Sequence, residues 1–225
     1  LNMSRLAVDA LRNQPVVQVD SMPWGWEPGD SLIITRGGNQ GATQNGEDLV
    51  AIQSINGNTI TCTSNLDRNH EGRLQDDLHC YVGNLTRSVT FRSAVSDTIH
   101  QRGHFIVMAT DSTIQIENAS FRHMGRADKS RLLDDMIWSN WLPPRVFKSK
   151  ISALGQECAE MQMLPVRDVT NPRGRYSIHL HKLGAKANSD LAIVTGNVVW
   201  GNPGWGITHH DSYADVSRNV VYQVT

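Results

Sequence analysis

Cysteine is scarce in this chain: Cys62, Cys80 and Cys158 are all there is in 225 residues, and none forms a CxxC pair. That excludes a zinc knuckle or dithiol redox motif and leaves room for one disulfide at most. No window approaches the roughly 18 consecutive apolar residues that span a bilayer. The opening run Leu1-Asn2-Met3-Ser4-Arg5 is neither an initiator start nor a signal peptide. An excess of one charge sign is missing too. Lys plus Arg number 21 against 22 Asp plus Glu, a net charge of -1, so neither nucleic acid nor an anionic membrane finds an electrostatic footprint. Phosphate-loop, GxSxG and HExxH motifs are absent. Ordinary glycoside hydrolysis needs two carboxylates about 5 to 9.5 Å apart. No such pair declares itself on one strand face, Asp211 with Asp215 coming nearest.

What is present is a hydrophobic fraction of 39% beside 18 glycines, enough for a folded core. Short β-branched runs dominate, such as Ser31-Leu32-Ile33-Ile34-Thr35, Leu49-Val50-Ala51-Ile52, Thr59-Ile60-Thr61-Cys62-Thr63 and Thr113-Ile114-Gln115-Ile116. Turn signals separate them, among them Pro28-Gly29-Asp30, Asn45-Gly46 and Asn56-Gly57-Asn58. The pattern predicts an all-β fold. A weak repeat narrows it. Thr195-Gly196-Asn197-Val198-Val199-Trp200 matches Ser217-Arg218-Asn219-Val220-Val221-Tyr222 in type, with looser copies ending at Phe91 and Arg122. An irregular period of roughly 20 to 30 residues, with a polar residue at each bend, predicts a right-handed parallel β-helix of the pectin-lyase-like kind. Val198, Val220, Ile178 and Ile207 are expected to point inward. A β-sandwich is the alternative.

Residues 126–173 break the pattern. Arg131-Leu132-Leu133-Asp134-Asp135-Met136-Ile137-Trp138 and Ser152 to Met161 have helical composition around Pro143-Pro144. They are read as a partly helical insertion that leaves one coil and returns at Gly174, and such an excursion can roof a groove. The expected division is therefore a glycine-rich N-terminal β-helix segment over 1–90, supplying the first coils and a cap, and parallel β-helix coils over 91–225. The terminal strand-like run Asn219 to Thr225 suggests a parent chain that continues. Sequons stand at Asn2, Asn84 and Asn118, a pattern common by chance.

Several pieces come in the order found in one family. They are Tyr81-Val82-Gly83-Asn84-Leu85-Thr86-Arg87-Ser88-Val89-Thr90-Phe91, Arg102-Gly103-His104, Phe121-Arg122-His123-Met124-Gly125, Gly174-Arg175-Tyr176-Ser177-Ile178-His179-Leu180-His181 and Asn219-Val220-Val221-Tyr222. They resemble the proteins that carry a domain named for its eight glycines followed by parallel β-helix repeats. That family includes cell-surface hyaluronidases, the cell-migration-inducing hyaluronan-binding protein and fibrocystin-like proteins. Trp26-Glu27-Pro28-Gly29-Asp30 falls in the part similar to the glycine-rich domain. Ser177 and Leu180 stand where the family pattern leads one to expect Pro and Phe, and the insertion is long, as in a distant microbial relative. The resemblance implies a secreted or cell-surface protein acting on a polysaccharide, by hydrolase or lyase chemistry. Its fibrocystin-like members equally imply a non-catalytic glycan- or protein-binding module.

The candidate chemistry gathers on His179-Leu180-His181 and His209-His210-Asp211. Alternation on a strand puts His179 and His181 on one face if Ile178 and Leu180 point inward. Matching Ser177-Ile178 to Gly206-Ile207 then places His210 beside His181, about 5 Å away on the next coil. Three converging imidazoles suit zinc or another divalent transition metal, with calcium as a further divalent candidate and Asp211 as ligand or orienter. The alternatives are a ladder of hydrogen-bonded histidines, or metal-free catalysis with His210 and Asp211 transferring protons and Arg175 holding a carboxylate. Arg175 and Tyr176 suit an acidic sugar, with Trp205 and His104 as further contacts. Trp200 is expected in the core, at the repeat position shared with Phe91 and Tyr222.

Overall fold

A computed structural model describes residues 2–36, 46–72, 79–108, 112–134, 136–139, 162–165, 170–186 and 189–224, with only the backbone pairing given for 136–139 and 162–165. Six strands lie in the N-terminal part: β1 (Met3–Arg5), β2 (Val16–Gln18), β3 (Ser31–Ile34), β4 (Asp48–Asn56), β5 (Thr59–Cys62) and β6 (Tyr81–Asn84). They form one sheet in the order β1-β6-β3-β4-β5-β2, and every pairing in it is antiparallel. The expected first coils are therefore not there. Hairpin turns such as Asn56-Gly57-Asn58, with Gly57 at φ 58, return the chain immediately, whereas a coil needs a longer path. Leu6, Val17, Val19, Leu32, Ile34, Ile52, Ile60 and Val82 give this sheet its own core.

The remaining strands are β7 (Val89–Arg92), β8 (Phe105–Met108), β9 (Gln115–Glu117), β10 (Ala119–Arg122), β11 (Met136–Ser139), β12 (Gln162–Pro165), β13 (Ile178–Gly184), β14 (Ala192–Thr195), β15 (Val198–Asn202), β16 (Ile207–Ser212), β17 (Ala214–Ser217) and β18 (Val220–Val224). Apart from the β11–β12 hairpin they sort into three parallel sheets, β18-β15-β10-β7, β16-β13-β8 and β17-β14-β9. The chain visits these sheets in turn, so each circuit lays one strand on the same strand of the circuit before. The protein is all-β among the described residues, with a single 3-10 turn at Ile99–Gln101 and no helix long and apolar enough to cross a membrane.

The repeat expected from sequence stacks as written: Val198 pairs with Val220, Val199 with Val221 and Trp200 with Tyr222. Two details differ. Phe91 pairs with Phe121, so the Trp200 column contains Arg92 and Arg122 in place of Phe91. Trp200 itself is half-buried under the Arg122 guanidinium, 5.4 Å from its ring centroid. Secondly, Val198 and Val220 do not face the interior of the coils. They pack with Ile33 and Leu85 of the antiparallel sheet, while Phe121 and Val199 join Ile178, Leu180 and Val194 inside. The β18-β15-β10-β7 sheet is apolar on both faces because the N-terminal sheet covers its outer side, and alternation cannot tell which face is the interior. Ile178 is fully buried inside, as expected, with Ile207 packed against the same cluster.

Backbone conformation at the bends repeats from circuit to circuit. By register, Asn118, Gly196 and Arg218 stack at one corner and His123, Gly201 and Gln223 at another, and all six have positive φ, between 47° and 70°. Above the first corner Asn197, wholly buried, donates from its amide to the Ile116 carbonyl (2.7 Å) and accepts from the Ala119 N–H (3.0 Å). The Asn219 side chain accepts from the Asn197 N–H (2.9 Å). Arg87 and Arg102 donate to the carbonyls of Gly196 and Gly201, each at 2.9 Å, fastening earlier circuits to later corners. Asn84 in turn donates to the Asp30 carboxylate at 2.6 Å. The motif residues Asp30, Asn84 and Arg87 thus join the antiparallel sheet to the coils, and the sequon residues Asn2 and Asn84 are buried.

The excursion between Gly125 and Gly174 is not helical where it is described. Arg131 to Asp134 adopt no helix, and Met136–Ser139 is a strand. Strand pairing overrides a weak helix propensity when a partner is at hand. The helical reading of Ser152 to Met161, the Pro143-Pro144 turn and Cys158 lie outside the described residues. The neck of the excursion is clamped. Asn171, fully buried, donates from its side chain to the Asp128 and Leu132 carbonyls, both at 2.9 Å, and Asp134 accepts from the Thr170 hydroxyl at 2.6 Å.

Phe121 is fully buried, stacks on Phe91 at 5.0 Å and meets Phe105 edge-on at 5.8 Å. Phe121→Ala is expected to cost about 3–5 kcal/mol in urea denaturation, and Gly196→Ala about 1–3 kcal/mol, because its φ is +70° and its Cβ would press on the Asn118 side chain. Burial, and secondarily Asp48, push the Cys62 thiol up to about 11. It stays protonated below that pH, so peptide mapping after alkylation at pH 8 should find Cys62 modified only when the protein is unfolded first.

Candidate functional site

The site grows from the β13–β16 pair. Ile178 aligns with Ile207 and His181 with His210, the register expected from sequence. After His181 the pairing shifts, and Lys182 and Asp211 take positive φ (55° and 50°). The chain turns there and brings the Asp211 carboxylate to 3.5 Å from its neighbour's ring, at His210 Nδ1.

His179, His181 and His210 come together on the side of β13 away from the apolar interior. His179 Nε2 lies 3.0 Å from His210 Nε2, and His181 Nδ1 lies 2.8 Å from the same atom. His179 is not outward in the sense of exposed: only 3% of it is accessible, whereas His210 stands in solvent. Its cover is local. Gly174, at φ 73, leaves its carbonyl to accept a hydrogen bond from His179 Nδ1–H (2.8 Å), and a Cβ on Gly174 would touch the imidazole at 3.5 Å. Sequence alternation placed the residue correctly and had no information about this returning strand of chain.

Rings continue the surface. Tyr176 lies 5.1 Å from the His179 ring and 5.2 Å from the Trp205 ring. The Lys129 ammonium sits 3.3 Å over Trp205, which remains half exposed. This run of Trp205, Tyr176, His179, His210 and His181 is flanked by cations. Burial, then the positive charges of Arg175 and Arg126, hold His104 below the ordinary histidine value. His179 is also held low, by burial first and despite its bond to Gly174, with His210, His181 and Arg175 adding to the effect. Both rings are therefore neutral at pH 7. His181 is shifted the same way, by desolvation and then by His210.

All the site residues expected from sequence, Arg175, Tyr176, His179, His181, Trp205, His210, Asp211 and His104, fall in this neighbourhood. The neighbouring motif residue His123 packs elsewhere, its ring 4.9 Å from that of Trp200. Lys129 and Arg126 were not anticipated. They belong to the neck of the excursion, and no periodicity ties them to Trp205. The ligand set is nitrogen, which is not what calcium takes, with its roughly six to eight oxygens. Among the described residues this trio is also the one cluster of three potential metal ligands.

No protein-family model matches the chain, and no curated protein matches it. Among solved structures it is similar to the tailspike protein gp49 from Pseudomonas phage LKA1, at 11% identity and a TM-score of 0.31, over 97% of this chain and 29% of that one. It is similar to the tailspike gp61 of Pseudomonas phage phi297, at 10% identity and 0.30, over 100% and 34%. The gp54 tailspike of Acinetobacter baumannii bacteriophage AP22, solved with an A. baumannii capsular saccharide, is similar at 12% identity and 0.30, over 98% and 37%. The chain spans between 29% and 37% of the length of these structures.

Proposed function

We propose that this chain engages an acidic polysaccharide, as a secreted or cell-surface protein, along the ring surface that runs from Trp205 through Tyr176 to the three histidines. In this reading the circuits from β7 to β18 form a right-handed, pectin-lyase-like parallel β-helix, and the eight-glycine hyaluronidase family supplies the nearest functional pattern, with hyaluronan as a representative ligand. The observation that carries it is the combination of adjacent, mutually tilted rings with cations. Trp205 and Tyr176, 5.2 Å apart, offer planes for sugar rings. Lys129 and Arg175 supply charges for uronate carboxylates, Arg175 through a fork that matches a carboxylate. A neutral glycan would use the rings and leave those charges idle.

Cleavage is a second reading, and one observation gives it a form. The titratable groups that meet here are imidazoles with a single nearby carboxylate, Asp211, and not the carboxylate pair of a hydrolase. That set suits elimination: Arg175 neutralises the uronate carboxylate, and His210, oriented by Asp211, removes the proton on the carbon beside it. The freed electron pair forms a C=C bond, and the glycosidic C–O bond breaks with its oxygen taking a proton from water.

The test uses hyaluronan and a neutral glucan, each immobilised. Retention is expected on hyaluronan alone, decreasing with salt, and weakened about 10-fold by Trp205→Ala and by Arg175→Ala. Equal retention on both supports, or retention indifferent to both substitutions, would end the proposal. Shortening of the polymer with new ultraviolet absorbance would mark elimination, shortening without it hydrolysis, and no shortening a binding module.

A further inference from the structure

The three histidines pose a hydrogen-bonding problem that a proton inventory exposes. His179 Nδ1 faces the Gly174 carbonyl, which can only accept, so the hydrogen of a neutral His179 is on Nδ1 and its Nε2 carries a lone pair. His210 turns its Nδ1 to the Asp211 carboxylate, again an acceptor, so its Nε2 also carries a lone pair. Those two lone pairs point at each other across 3.0 Å. His181 Nδ1, at 2.8 Å, can donate to His210 Nε2, but that uses the single lone pair there and leaves His179 facing an occupied position. With the His210 proton on Nδ1, three neutral rings leave a lone pair unmet; a proton on His210 Nε2 shared with its two neighbours, or a metal cation placed among the three nitrogens, meets the contacts.

We propose that His179, His181 and His210 bind a divalent transition metal of the zinc type. The three ligand atoms lie within 4.8 Å of one another. Tetrahedral zinc with nitrogens at about 2.0–2.1 Å sets them about 3.3 Å apart, a few tenths of an ångström wider than the 2.8 and 3.0 Å separations here. The outer atoms are arranged as they are around bound zinc: one ring donates to a backbone carbonyl and another faces a carboxylate, which fixes tautomer and orientation. The rigidity is also built in. His181 and His210 are aligned partners on neighbouring strands, and His179 is held two residues upstream on the same strand. Three protein ligands leave a fourth position for water or an anionic oxygen, on the surface beside Tyr176. With the ion present, His210 is a ligand and no longer a proton carrier.

The site is tested with no polysaccharide present, so its failure is separate from failure of the glycan reading. The full chain, purified without a polyhistidine tag and stripped with a chelator, is titrated with Co²⁺, followed by Zn²⁺ and Ca²⁺ as competitors. One Co²⁺ per chain is expected, with the visible absorption of four-coordinate cobalt, displaced by Zn²⁺ and not by Ca²⁺. His181→Ala and His210→Ala should each weaken binding at least about 100-fold, whereas His123→Ala should leave it unchanged. Circular dichroism confirms the fold of each variant, and His181→Gln replaces any alanine variant that fails to fold. No saturable uptake, or uptake that survives both substitutions, would overturn the proposal.

Discussion

The structure from Val89 onward depends on strands of successive circuits lying parallel and in register. Each β-strand in the three parallel sheets draws its hydrogen bonds from a strand one circuit away, so every bend must recur at the same height. The two columns of positive-φ residues are the consequence. Where the column holds Gly196 or Gly201, a side chain from the circuit before fills the space a Cβ would occupy: Asn118 for the first, His123 for the second. The carbonyls freed by those turns are then taken by Arg87 and Arg102. Both arginines are partly buried, so leaving these charge-assisted bonds unmade in a slipped register would carry a cost.

The antiparallel sheet is the second constraint. It packs on the outer face of β15 and β18 through Ile33 and Leu85, and Gly83 permits the approach, since a Cβ there would sit 3.1 Å from Val220. Part of one sheet, at β15 and β18, is thus covered on its outer side, and the site lies on another, β16-β13-β8. The face of that sheet away from the apolar interior is where the titratable residues gather, His210 exposed and His179 buried beneath Gly174.

Electrostatically the site is unusual in collecting nitrogen bases and cations with little acid. Burial first, then Arg175 and Arg126 at His104 and Arg175 at His179, disfavour protonation of these rings, while Lys129 lies over Trp205, so fixed positive charges border histidines rich in lone pairs.

Local pattern was sufficient for much of this. β-Branched runs and turn residues determined that the chain is all-β, the Asn-Val-Val repeat determined which segments stack, and the spacing of His179, His181 and His210 determined that they meet, because a strand's two-residue period and the strand-to-strand spacing are properties of the backbone itself. Other features needed the tertiary structure. Whether Val198 or Val199 faces the interior depends on a second sheet that covers the outer side, and apolar residues on both faces erase the alternation. Arg131 to Asp134 take irregular backbone and Met136–Ser139 a strand instead of helix, because pairing outweighs a propensity of a few tenths of a kcal/mol per residue. The antiparallel N-terminal sheet was hidden because short strands look alike whether the next one returns by a hairpin or a circuit. Burial of His179 under Gly174, and the arrival of Lys129 on Trp205, join residues far apart in sequence. Such contacts carry no periodic signal and are decided only when the chain closes on itself.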